Sequence, residues 1–168
     1  AEWKWDGIRA QLIRREGASY LWSRGEELIT ERFPEIIEMS NALADGTVID
    51  GEILPWLNDA VMPFAQLQRR IGRKTLGKKI LSEVPVIFLS YDVLEWDGED
   101  IRTRAMSERR ALLETIVTSV NNSTLLISPL VQGDDWDALA AQRETGRERN
   151  VEGLMIKRKS SPYRVGRQ

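Results

Sequence analysis

Apolar and polar residues alternate through residues 7–15, with Ile8, Ala10 and Leu12 set against Arg9 and Gln11 before Ile13 closes the run. A period of two predicts a strand. Glu16-Gly17-Ala18-Ser19 supplies a turn and Tyr20-Leu21-Trp22 begins a second strand, so the first thirty residues read as a hairpin that ends at Ser23-Arg24-Gly25. The period changes at Phe33. Pro34 suits a first helical turn, Ile36, Ile37, Met39, Ala42 and Leu43 form an apolar side, and Asp45-Gly46 stops the helix. Thr47 to Leu54 reads as a strand interrupted by Asp50-Gly51-Glu52. Pro63 opens a helix through Leu67 and Ile71, and Gly72 and Gly77 divide the basic stretch into two short helices.

The run from Val84 to Leu94 is almost continuously apolar, which predicts a buried central strand with Pro85 at its start. Trp96-Asp97-Gly98 turns the chain. From Ser107 to Val120, Leu112, Leu113, Ile116, Val117 and Val120 share one helical face. Thr124 to Val131 reads as a strand whose Pro129 marks an edge or an end. Asp134 or Asp135 caps a helix through Trp136, Leu139 and Ala140, and Val151 to Lys157 forms a last strand. The ending, Ser160 to Gln168, carries no packing signal and reads as a loop. This mixed order, without βαβα repetition, predicts an α+β domain of mainly antiparallel sheets flanked by helices.

Composition narrows the chemistry. The 168 residues suit one domain of ordinary globular make-up. No apolar run approaches about 18 residues, so neither a transmembrane helix nor a membrane partner is expected. No signal peptide is visible, although the chain opens without methionine. Cysteine is absent, which excludes a disulfide framework and thiolate chemistry and is compatible with a cytoplasmic location. Histidine is absent too, which excludes Ser-His triads, imidazole proton shuttles and histidine metal sites. A metal here must be a hard ion held by carboxylates, such as Mg²⁺. The net charge of −2 does not announce a nucleic-acid binder. Yet Arg69, Arg70, Arg73, Lys74, Lys78 and Lys79 form one basic cluster, and Lys157, Arg158, Lys159, Arg164 and Arg167 form another, so a local basic face is expected.

Candidate chemistry gathers at Glu2-Trp3-Lys4-Trp5-Asp6-Gly7-Ile8-Arg9. Lys4 sits among two tryptophans, two carboxylates and an arginine. Partial desolvation there disfavours the ammonium and should drive its pKa down, leaving a nucleophilic amine. Arg9 offers a fixed cation for carboxylate or phosphate. The same residues also fit a strand running into a turn, with Lys4 and Arg9 exposed. Asp50-Gly51-Glu52 and Glu152-Gly153 each set an acid beside a glycine inside an apolar strand. Such glycines often mark close approach by a ligand, and such acids need a partner or a cavity unless they face solvent from an edge. Converging on one pocket, they could hold Mg²⁺ and sugar hydroxyls. In Phe88-Leu89-Ser90-Tyr91-Asp92 an aromatic ring can stack on a flat base, and Phe88 reads as core.

Lys4-x-Asp6-Gly7-x-Arg9 resembles the nucleophile motif of the covalent nucleotidyltransferases, namely ATP-dependent DNA ligases, RNA ligases and mRNA-capping guanylyltransferases. Its flanks, Glu2-Trp3 and Ala10-Gln11, look like a DNA ligase. Asp50-Gly51-Glu52, the run ending Tyr91-Asp92, and Glu152-Gly153-Leu154-Met155-Ile156-Lys157 resemble later motifs of the family, in family order. Ser23-Arg24-Gly25 followed by Phe33-Pro34-Glu35, and Phe64-x-x-Leu67-Gln68-x-Arg70, are similar to DNA ligase segments. The run from Ser161 to Arg167 looks like bacterial repair-type enzymes. The resemblance implies a nucleotidyltransferase (ATP-grasp-like) adenylation domain. By it Lys4 carries AMP, Glu2 accepts from the adenine amino group, Arg9 binds ribose or phosphate, and Asp6 orients the turn. Glu52 contacts ribose and metal, Glu152 binds metal, Tyr91 packs on adenine, and Lys157 touches phosphate. Arg24 reaches the 5′-phosphate side of a nick and Arg70 lies along the DNA backbone, although either arginine could be merely solvated.

The implied activity is that of an ATP-dependent DNA ligase core. Lysine-AMP forms from ATP with Mg²⁺, or Mn²⁺ as an alternative ion. AMP then passes to a 5′-phosphate, and nicked double-stranded DNA is sealed in a longer, monomeric enzyme. The alternatives are an RNA ligase or capping-type guanylyltransferase core, and a non-catalytic nucleotide- or DNA-binding lobe. The family's Lys-x-Lys strand, its OB-fold domain and an upstream DNA-binding domain do not occur in residues 1–168, so the chain reads as an adenylation core truncated at both ends.

Overall fold

The computed structural model describes residues 1–166; Arg167 of the C-terminal basic cluster, and Gln168, lie outside the described residues. The strands are β1 (Glu2–Trp5), β2 (Ile8–Arg15), β3 (Ala18–Ser23), β4 (Thr47–Leu57), β5 (Ala60–Val61), β6 (Val86–Trp96), β7 (Glu99–Asp100), β8 (Leu125–Ile127) and β9 (Val151–Met155). The α-helices are α1 (Pro34–Ser40), α2 (Phe64–Ile71), α3 (Lys78–Glu83), α4 (Met106–Val120) and α5 (Trp136–Glu144). The main sheet runs β3-β2-β4-β6-β7, all antiparallel, with β5 paired to β4 and β8 parallel to β6. A second, two-stranded antiparallel sheet joins β1 to β9.

β4 and β6 form the centre. Each is 11 residues long and buried over most of its length, which explains why both read as apolar runs without alternation. Ile49, Ile53, Phe88 and Val93 pack with Leu12, Leu21, Phe33, Ile36, Leu113 and Ile116 in the principal core. Leu54, Ile87 and Leu89 form a smaller cluster with Trp5, Trp56 and Leu126. Through Trp5 this cluster ties the small sheet to the large one. Gly51 owes its place to packing: an added Cβ would lie 2.7 Å from both Leu89 O and Phe88 Cε1. The close approach read from the sequence as a ligand's is therefore that of β6 itself.

Three other expectations change. α1 ends at Ser40, not beside Asp45-Gly46, because the chain closes in short turns with Ala42 N–H donating to Met39 O and Leu43 N–H to Ser40 O. The strand expected from Thr124 to Val131 shrinks to the three residues of β8. The ending is no free loop. Met106 N–H donates to Ser161 O (2.9 Å), Ser107 N–H to Lys159 O (2.9 Å) and Tyr163 N–H to Arg102 O (2.7 Å), so the segment after β9 straps down the start of α4. Of the two candidate caps for α5, Asp135 is the one that accepts, from Ala138 N–H at 2.7 Å.

Candidate active site

A cleft of about 790 Å³ is lined by Glu2, Lys4, Arg9, Arg24, Glu52, Tyr91, Glu152 and Lys157, that is, by every candidate site residue except Arg70. They arrive from β1, β2, β4, β6, β9 and the loops after β3 and β9. Strand pairing does the gathering. β1 against β9 sets Lys4 opposite Gly153, next to Glu152. β2 against β4 sets Arg9 opposite Glu52. Gly153 has φ of 149°, a conformation that glycine alone adopts readily, and space around it is open.

Lys4 Nζ lies 2.5 Å from Glu152 Oε2, and both side chains are about half exposed (54% and 47%). The desolvated aromatic setting expected for this amine is not what the fold provides. Neighbouring residues of a strand point to opposite sides, so the flanking tryptophans, although they border the cleft, pack away from the Lys4 amine. Trp3 is buried, with the Arg149 guanidinium 5.4 Å from its ring centroid. Trp5 donates its indole N–H to Ser128 Oγ at 3.1 Å.

Across the cleft the charges are interlocked, with Asp50 buried and Arg9 partly exposed. Arg9 donates Nη2–H to Asp50 Oδ2 (2.8 Å) and to the Tyr163 hydroxyl (3.1 Å), and that hydroxyl donates to Asp50 Oδ2 (2.8 Å). The hydrogen bond that the Arg9 guanidinium donates to Asp50 holds it above its ordinary pKa. Burial raises the Glu52 carboxyl to about 7; the Arg9 cation opposes the rise, Asp50 adds to it, and a 3.5 Å contact with the Tyr91 hydroxyl and the Gly7 N–H oppose it. Burial also lifts the Tyr91 phenol far above its usual range, and the Tyr163 phenol to about 12. Glu2 is 2% exposed and doubly paired: Arg110 Nη1–H donates to Oε1 at 2.8 Å, and Lys157 Nζ bonds to Oε2. Lys157 Nζ also stands 4.8 Å from the Tyr91 ring centroid.

The two arginines assigned to DNA part company. Arg24 is exposed and makes no ion pair among the described residues; its N–H donates to Arg9 O at 3.0 Å. It lines the cleft and also an adjoining groove of about 690 Å³. Arg70 is fully buried. It donates to both Glu35 oxygens (2.5 and 2.8 Å), to Val84 O (2.9 Å) and to Arg32 O (3.0 Å), and lies 5.2 Å from the Phe33 ring centroid. With no exposed atom it has nothing to offer a DNA phosphate, so the DNA-contact assignment of Arg70 is corrected to a core ion pair. The sequence reading also missed Arg109, Arg110 and Tyr163. Arg109 Nε–H and Nη2–H donate to the two oxygens of Asp92, beside Tyr91, at 2.8 and 3.0 Å.

Among the described residues no cluster of three or more acids could hold a metal unaided. Glu52 and Glu152 enter the same cleft as separate hard-oxygen donors, which fits an ion that takes its remaining ligands from a phosphate and water.

A family model described as "ATP dependent DNA ligase domain" matches residues 1–168. A probable DNA ligase of Koribacter versatilis is 33% identical over 98% of this chain and 32% of its own length. The DNA ligase of Aeropyrum pernix is 33% identical over 98% of this chain and 28% of its own. Among solved structures, mycobacterial DNA ligase D complexed with ATP and MES superposes with a TM-score of 0.77 at 31% identity, covering 99% of this chain and 50% of that one. Chlorella virus DNA ligase-adenylate, at 18% identity and a TM-score of 0.61, shares the fold. The chain thus spans about a third of the length of these curated relatives and half of the mycobacterial chain.

Proposed function

This chain belongs to the ATP-dependent DNA ligase domain family, and from that premise we propose that its cleft binds ATP and that Lys4 takes up AMP as the first step of DNA ligation. The observation that carries this reading is the pairing of Lys4 with Glu152 at 2.5 Å in a cleft that also holds Tyr91, Glu52, Arg9 and Lys157. Glu152 orients the Lys4 ammonium, which gives up a proton to water. The freed Nζ attacks the α-phosphorus of ATP, the N–P bond forms, the P–O bond to pyrophosphate breaks, and the nitrogen's second proton passes to the departing pyrophosphate, giving lysine-AMP.

The other residues bind and orient. Tyr91 stacks on adenine, Glu52 and Arg9 face the ribose, and Lys157 turns from Glu2 to a phosphate oxygen. Its departure frees Glu2 Oε2 to accept from the adenine amino group. Mg²⁺ would be held by Glu52 and Glu152 together with the triphosphate, and would supply positive charge against the phosphates. Arg24, exposed and without an ion pair among the described residues, is placed to grip the 5′-phosphate of a nick, to which AMP passes next. Repair, replication or recombination would then draw on the sealed product. No helix among the described residues is long and apolar enough to cross a membrane; a monomer acting in the cytoplasm fits the reading.

Incubation with α-labelled ATP, and in parallel GTP, tests it. The expected result is label from ATP that survives denaturation and is absent from Lys4→Ala. Label from GTP alone would favour a guanylyltransferase, and label persisting in Lys4→Ala would move the nucleophile elsewhere. The 168 residues by themselves should adenylate weakly and leave nicked duplex unsealed, since they span about a third of their relatives.

A further inference from the structure

Arg110 lies on α4, far in sequence from every motif, yet its side chain is only 11% exposed and makes three bonds at the cleft's edge. Nη1–H donates to Glu2 Oε1 (2.8 Å), Nη2–H to Ser128 O (2.9 Å) and Nε–H to Glu114 Oε1 (3.0 Å). Ser128 Oγ in turn accepts from Trp5. The residues two before and one after Lys4 are therefore both fastened to one guanidinium, Glu2 directly and Trp5 through Ser128. β1 is four residues long and pairs with β9, and Arg110 adds a tie from its first residue to α4.

The charge balance adds a second role. Glu2 is a buried carboxylate with a cation on each oxygen. Were Lys157 its sole partner, moving Lys157 to a phosphate would strand a buried charge, which is strongly disfavoured. With Arg110 in place, Glu2 remains compensated when Lys157 leaves. We propose that Arg110 is a positioning residue that releases Lys157 for phosphate by holding Glu2, an inference that rests on the ATP-binding reading above. It touches neither nucleotide nor nucleophile and acts through its neighbours.

The test compares wild type, Arg110→Gln, Arg110→Lys, Glu2→Gln and the double variant Arg110→Gln/Glu2→Gln. In the nucleotide-free chain, acetic anhydride labels lysines, and peptide mass spectrometry reads Lys157 against exposed Lys74. Arg110→Gln should slow Lys157 labelling about fivefold and raise the KM for ATP in self-adenylation about tenfold, leaving kcat within about twofold, a coupling of ordinary size. Arg110→Lys should lie near wild type. Glu2→Gln alone should speed Lys157 labelling, and adding it to Arg110→Gln should restore it. Unchanged Lys157 reactivity in Arg110→Gln, or no restoration in the double variant, would overturn the proposal and leave Arg110 a packing residue. If Arg110→Gln does not fold, Glu2→Gln decides: Lys157 no more reactive than in wild type means that Glu2 does not restrain it. Failure of wild type to take up ATP would defeat the adenylation reading, while the labelling arm still decides whether Arg110 governs Lys157.

Discussion

The carboxylates of the main sheet and the Lys4–Glu152 pair of the small sheet are held in opposite ways. On the main sheet, Asp50 and Asp92 lie directly across from one another on β4 and β6, a placement that is repulsive by itself. Each is buried and answered by its own arginine, Asp50 by Arg9 and Asp92 by Arg109. On the small sheet, Lys4 and Glu152 meet half in water, with no third partner in hydrogen-bond reach among the described residues. The main sheet supplies a preorganised wall, and the small sheet supplies the reacting pair. An arginine that answers a buried carboxylate is costly to remove, while an exposed lysine pair is cheap to exchange. A nucleophile that must leave its carboxylate for phosphorus belongs on the second kind of support.

The largest effect expected from this contrast is on stability. Asp92→Asn leaves the nearly inaccessible Arg109 without a carboxylate and should cost about 3–5 kcal/mol. Glu152→Gln should cost under about 1 kcal/mol, the range of solvent-screened pairs. Urea midpoints at neutral pH measure both. Equal losses from the two variants would erase the distinction between the walls.

Next in size is a pH effect from Glu52. Its folded-state pKa is raised to about 7 from 4.5, so between those values the folded chain holds a proton that the unfolded chain releases. Stability therefore falls as pH rises through that window, and full charge on Glu52 costs on the order of 2 kcal/mol once partial exposure is discounted. Glu52→Gln should be more stable than wild type at pH 8 and no more stable at pH 4. A constant difference across that range would show that Glu52 ionises as in water. Since a divalent cation competes for the same carboxylate as the proton, added Mg²⁺ should narrow the gap at pH 8.

Most of this architecture was legible in the chain. The alternation of β2, the apolar runs of β4 and β6 and the one-sided pattern of α4 each report burial, which local sequence encodes. Nearly all the candidate residues did meet in one cleft. What escaped were side chains whose role depends on long-range pairing. Arg70 looked like one more cation in a basic run, and nothing local tells that it points inward to Glu35, 35 residues away. Arg109 did leave a trace. It falls four and seven positions before Leu113 and Ile116, so it shares their buried face, and an arginine on an apolar stripe calls for a buried acid. Arg110 left none, because its partner Glu2 is 108 residues distant. Lys4 was misjudged for a different reason: adjacency to tryptophan in sequence is not adjacency in a strand, where neighbours diverge.

The smallest predicted effect concerns the strap. Tyr163 was the residue in the ending with no assigned work, yet its hydroxyl is the third member of the Arg9–Asp50 cluster and lines both the cleft and the adjoining groove. Tyr163→Phe keeps the ring and removes one hydrogen bond to a buried carboxylate that retains Arg9, so the cost should be about 1 kcal/mol. The consequence for the cleft is smaller than that figure but more specific. Arg9 then binds Asp50 without the hydroxyl as a second anchor, and its guanidinium, 6.0 Å from the Tyr91 ring centroid, gains freedom at the nucleotide's edge. Self-adenylation should show a KM for ATP raised two- to threefold, roughly 0.5 kcal/mol, with kcat little changed. A fall in kcat at constant KM would instead tie Tyr163 to the transition state and make the main-sheet wall a participant in the reaction, which would dissolve the division of labour between the two sheets.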